Sequence, residues 1–119
     1  VDEHLAQPGH IADHLCRAGY SLLDRNWRYG KLGELDIIAR YSTTVVFVEV
    51  RARRGSLIEA TDAALESVNP RKRARLIHLA EAYLAAHDLS DSPWRITVVA
   101  VACQGETMTM EIIKNAIEW

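Results

Sequence analysis

Apolar positions recur at two different periods along the chain, and the switches between them lay out its elements. Over residues 9–18, Ile11, Ala12, Leu15 and Cys16 fall at helical spacing, which predicts a first amphipathic helix ending at Gly19. Three strands follow, over 20–27, 32–40 and 45–53, rich in Val, Ile, Leu and aromatic residues. Tyr41-Ser42-Thr43-Thr44 is the turn between the last two. Residues 56–68 read as a loop with a short helix. Asn69-Pro70 then supplies a helix cap and a first-turn proline for a long helix to about residue 87, with Leu76, Ile77, Ala80, Tyr83 and Leu84 as its apolar stripe. The segment 94–102 is apolar on both faces in its second half, as a covered strand requires. A weaker strand over 108–113 and a tail over 115–119 complete the order α-β-β-β-α-β-β, which predicts an α/β fold with a mixed sheet flanked by helices.

Composition narrows this to one domain over residues 1–119. With 49% hydrophobic and 25% charged positions in 119 residues, the chain has the make-up of a single soluble unit with one core. Its longest apolar runs are too short for a spanning helix or a secretory leader, so the expectation is a cytoplasmic protein with no membrane partner. Cys16 and Cys103 have no Cys-x-x-Cys spacing and read as buried, reduced thiols. The net charge of −2 conceals a strong asymmetry. Residues 25–75 carry eleven Lys/Arg against six acids, so the middle is +5 between flanks totalling −7. Such a middle makes a patch that attracts polyanions, or else a solvated mixed surface.

The hairpin over 32–53 carries the chemistry. Taking Tyr41 to Thr44 as a symmetric turn, Arg40 faces Val45, Asp36 faces Glu49 and Glu34 faces Arg51, all with side chains on one sheet face. Opposed like charges in an apolar strand pair destabilise it unless a cation or proton intervenes. A hard divalent ion, Mg²⁺ or Mn²⁺, held by Asp36 and Glu49 would convert repulsion into coordination. Neutralisation by Arg51 or Arg53 is the alternative, and a one-residue slip in register would separate the pair.

In order and spacing, "GYSLLDRNWR", "GELDIIAR", "VVFVEVRAR", "NPRKRARL" and "RITVVAV" resemble the YraN-like bacterial family that is grouped with the restriction-endonuclease-like PD-(D/E)XK nucleases. The resemblance covers nearly the whole chain. It implies a restriction-endonuclease-like fold in which Asp36 and Glu49 match the metal-binding acids and Arg51 falls at the lysine of Glu-x-Lys. The implied activity is metal-assisted phosphodiester hydrolysis, with Mg²⁺ or Mn²⁺ polarising the phosphoryl group and acidifying the attacking water. Arg51 supplies charge to a phosphate but cannot serve as a general base. Two further positions depart from the family pattern. His10 stands where relatives usually carry a glutamate in the first helix, with Glu3 and Asp13 as the nearby acids, and Thr97 stands where an aspartate is common.

Other candidates are weighed against plainer uses. His10 and His14 have the i, i+4 spacing that can bind zinc, but lack an obvious third ligand; His4, His78 and His87 have no local partners. Trp27 between Arg25 and Arg28 either stacks a base or packs in the fold. Arg71, Lys72, Arg73 and Arg75 crowd a helix start that ordinarily favours acids, so they either hold an anion or form a solvated face. Together with Arg28 and Arg53 they are the expected nucleic-acid contacts, with DNA ahead of RNA as the partner. A non-catalytic nucleic-acid-binding module is the rival, favoured by Arg51, His10 and Thr97. A homodimer is a further expectation for cutting two strands, though no residue demands one.

Overall fold

A computed structural model describes residues 8–114, so Glu3, His4 and the tail over 115–119 lie outside the described residues. The elements are α1 (Pro8–Arg17), β1 (Ser21–Tyr29), β2 (Gly33–Tyr41), β3 (Thr44–Arg54), α2 (Leu57–Ser67), α3 (Pro70–Ala86), β4 (Trp94–Gln104) and β5 (Thr107–Ile113). Gly19, at φ +98°, ends the first helix in the left-handed conformation that glycine adopts without strain. Residues 56–68 are more regular than the sequence predicts. Ser56 Oγ accepts from the Glu59 N–H, the Glu59 carboxylate accepts from the Ser56 N–H, and this capping box launches an eleven-residue helix. Asn69 caps α3 by accepting from the Lys72 N–H at 2.9 Å, with Pro70 in the first turn.

The five strands form one mixed sheet in the order β1-β2-β3-β4-β5. All neighbours are antiparallel except β3 and β4, which run parallel and are joined by α2 and α3 as the crossover such a pair needs. Two apolar clusters lie on opposite faces of this sheet. One packs Leu76, Leu79, Ala80, Tyr83 and Leu84 of α3 and Ala64 of α2 against Ile38, Val45, Phe47, Ile96 and Val98. The other packs Ile11 and Leu15 of α1 against Ile37, Val46, Val48, Val99 and Val101. Period-2 alternation along β3 and β4 thus feeds both cores, which is why residues 45–48 and 98–102 are apolar throughout. On α3 Leu79 is buried along with Leu76, Ala80, Tyr83 and Leu84, while Ile77 sits at the cluster's edge.

The turn register is the predicted one: Tyr41 pairs with Thr44 and Arg40 with Val45. The ladder ends at Ile37–Val48, one pair short of the acids. On the other side of β2, Arg25 pairs with Ile37 and Trp27 with Leu35, while the intervening Asn26 is left-handed at φ +53°. Asp36 is in neither run of paired residues. Leu35 and Ile38 both join the α3 cluster although strict alternation would place them on opposite faces, so the strand is irregular at Asp36.

Candidate metal and nucleic-acid site

The break in β2 creates the site. With the ladder interrupted, Asp36 Oδ2 accepts from the Val50 N–H at 3.0 Å, so a carboxylate takes the place of a strand-to-strand backbone bond. Glu49, two residues beyond Phe47, lies on the α2/α3 side of the sheet and is only 7% exposed. The expected ladder pairing of Asp36 with Glu49 is therefore corrected: the acids meet through their side chains at the point where the strands part. Glu34 does not face Arg51 either. It pairs with Arg28 across β1 and β2, their charged ends 3.6 Å apart.

Burial pushes the Glu49 carboxyl up from 4.5 to about 8, helped by its hydrogen bond with Asp36 and by the negative charge there. Arg51 and Arg75 act in the opposite direction and do not outweigh these effects. Two cations touch Glu49: Arg51 Nη1 lies 3.7 Å from Oε1, and Lys72 Nζ lies 3.5 Å from Oε2. Arg51 is further tied by Nε to Ser67 Oγ at 3.2 Å and by Nη1 to the Val50 carbonyl at 3.4 Å. Ser67 in turn donates to the Ala64 carbonyl at 2.7 Å, so Arg51 is anchored to the last turn of α2.

Lys72 is the residue whose place was not legible in the sequence. It belongs to the basic run of α3, yet its side chain is folded in, 17% exposed, against a glutamate from β3. No local pattern connects positions 49 and 72; only the docking of α3 on the sheet joins them. Arg71 and Arg75 remain exposed and, with Leu32, Asn69 and Lys72, line a cavity of about 350 Å³ beside the carboxylates. Arg73 is half-buried and lies outside that lining. Arg53 is exposed near the end of β3, where its charge reaches Glu59. Arg28 engages Glu34.

Several candidates fall elsewhere. Thr97 pairs with Val48 and so lies on the α1 face, opposite to Glu49; its hydroxyl accepts from Arg95 Nε at 3.3 Å. His10 belongs to α1, which covers that same opposite face. Thr97, one of the two departures from the family pattern, therefore lies across the sheet from Glu49. Trp27 packs edge-on to Tyr83 at 5.3 Å and stacks on Tyr29 at 5.6 Å, which is the packing use. Cys103 is buried as expected, whereas Cys16 is exposed.

Two oxygen-donor carboxylates suit Mg²⁺ or Mn²⁺, since Mg²⁺ typically takes one or two protein carboxylates and completes its shell with water and phosphate oxygens. Among the described residues no cluster of three His, Cys, Asp or Glu forms, so a closed zinc-type cage is not built here. No helix among the described residues is long and apolar enough to cross a membrane.

The chain matches the model of the uncharacterised protein family UPF0102 over residues 9–101. It is 48% identical over 110 residues to a UPF0102 protein of Roseiflexus castenholzii, spanning 90% of this chain and 86% of the relative. A UPF0102 protein of Stutzerimonas stutzeri is 43% identical over 106 residues, 88% and 85% of the two chains. One from Nitratidesulfovibrio vulgaris is 44% identical over 105 residues, 87% and 75%.

Proposed function

The chain belongs to the uncharacterised protein family UPF0102, and from the site it carries we propose that it is a metal-dependent nuclease, hydrolysing phosphodiester bonds with Mg²⁺ or Mn²⁺ at Asp36 and Glu49. One observation carries this: buried Glu49 and half-buried Asp36 meet at a break in a strand ladder, and Lys72, which touches Glu49, also lines a cavity with Arg71 and Arg75. A buried acid held against a second carboxylate destabilises a fold that has no use for it. The mixed five-stranded sheet with helices on both faces is compatible with the restriction-endonuclease-like fold that the sequence resemblance implies.

A divalent ion bound there would stabilise charge on the phosphoryl oxygens and acidify the attacking water. The protein's own groups divide the remaining work. Asp36 is held in place by the Val50 N–H, so one ligand is positioned before any ion arrives. Arg51, anchored on Ser67, presents a fixed positive charge next to Glu49 and stabilises the extra negative charge that develops on the phosphate. Arg71 and Arg75 contact flanking phosphates from the cavity wall, Arg73 extends the same basic helix start, and Arg28 and Arg53 extend the contact surface.

The anchoring of Arg51 also supports a second reading, a nucleic-acid-binding module that keeps the fold without cleaving. Incubating the protein with branched, single-stranded and duplex DNA, with and without Mn²⁺, separates them. The nuclease cleaves at least one form only with metal, and Asp36→Asn reduces that cleavage to background. Salt-dependent binding with no cleavage of any form selects the binding module, and absence of both overturns each.

A further inference from the structure

Lys72 stands between two features: its ammonium contacts Glu49, and the same side chain lines the cavity with Asn69, Arg71, Arg75 and Leu32. A divalent cation taking Glu49 Oε2 would compete with the ammonium for that oxygen, Oε1 being held by Arg51. We propose that Lys72 is an exchange residue: without metal its ammonium rests against Glu49, and when a divalent ion takes the carboxylate the ammonium turns into the adjoining cavity to hold a phosphate oxygen of nucleic acid.

The proposal rests on the metal-dependent site proposed above and adds a consequence that the site alone does not have. Metal binding frees a cation for the phosphate, and phosphate binding withdraws a competitor from the metal, so each ligand tightens the other by the same factor. The geometry suits the change of partner. A lysine side chain is a flexible four-carbon stem with a point charge, and a rotation about its own bonds moves the ammonium by several ångströms. Arg51 cannot make this exchange, being tied to Ser67 and the Val50 carbonyl as well as to Glu49. The cavity, at about 350 Å³, is at the small end of the ligand-pocket range and has room for a phosphate with its sugar. Two further guanidinium groups, of Arg71 and Arg75, line it.

The test is a binding cycle that needs no turnover. The affinity of a short single-stranded phosphorothioate oligonucleotide, whose linkages resist hydrolysis, is measured by anisotropy with and without Mn²⁺, for the parent, Lys72→Met and Lys72→Arg. Mn²⁺ affinity is measured by calorimetry with and without the oligonucleotide. In the parent each ligand should tighten the other by about tenfold, within the usual range of coupling. Lys72→Met should bind Mn²⁺ alone more tightly than the parent does, and its mutual effect should fall to threefold or less. Lys72→Arg, which keeps the charge, should retain at least half of the parent's effect and also shows that the position tolerates substitution should Lys72→Met fold poorly. Coupling that is absent in the parent, or undiminished in Lys72→Met, overturns the exchange while leaving the metal site standing. Failure of the parent to bind Mn²⁺ at all overturns the metal site and the exchange together.

Discussion

Glu49 is the residue on which the chemistry turns, and its environment makes a pH prediction. Burial first, and the hydrogen bond with Asp36 second, hold its carboxyl well above the ordinary 4.5, at about 8. A group whose pKa is raised on folding binds more protons in the folded than in the unfolded state between those two values, so stability falls as pH rises across that window. Glu49's contribution to the stability of the metal-free protein should therefore be fully present below about pH 4.5 and be lost towards pH 8 by an amount on the order of a few kcal/mol, at about 1.4 kcal/mol per unit. Urea unfolding at a series of pH values reads this directly. Glu49→Gln should flatten the curve and be no less stable than the parent at pH 8, because the amide has no charge to desolvate. A Glu49→Gln protein markedly less stable than the parent throughout would instead mark Glu49 as the anionic centre of a structural ion-pair network with Arg51 and Lys72.

Among the elements, the β2–β3 hairpin was readable because its turn fixes its register, pairing Tyr41 with Thr44 and Arg40 with Val45. What the pattern could not reveal is that the ladder stops at Ile37–Val48, since interruption depends on Asn26 in β1 and on a side-chain bond from the Val50 N–H to Asp36. Helix α3 was readable from its cap, its proline and its stripe, while the inward turn of Lys72 is decided by packing between elements distant in sequence. The face assignments of Thr97 and His10 are of the same kind: strand pairing and the docking of α1 set them, and local sequence does not. The start of α3 carries its own prediction. Arg71 and Arg75 line the cavity and are exposed, so Arg71→Ala/Arg75→Ala should weaken oligonucleotide binding. The slope of log affinity against log salt should become shallower by about 0.7 for each phosphate of single-stranded DNA that is no longer neutralised. An unchanged slope would make these arginines a solvated face.

At the scale of the whole molecule, the sheet divides labour between its faces. The α1 side is apolar packing of Ile11 and Leu15 against the sheet, and the α2/α3 side combines a core with the polar site at its margin. The basic middle of the chain, +5 over residues 25–75, is thereby partly gathered at the start of α3 beside the carboxylates, although the protein as a whole is mildly acidic. Such local positive potential over a negative metal site favours polyanions that arrive together with a divalent ion. The measurement that bears most directly on this is thermal unfolding against Mn²⁺ concentration for the parent, Asp36→Asn and Glu49→Gln at about pH 8, where the Glu49 carboxyl gives up its proton. An ion that binds only the folded state at Asp36 and Glu49 should raise the parent's midpoint continuously, by on the order of 10 °C at about a hundredfold excess over its dissociation constant, and should leave both amide variants unmoved. A parent midpoint that does not change with Mn²⁺, or amide variants that rise as far as the parent, would contradict a metal site at Asp36 and Glu49.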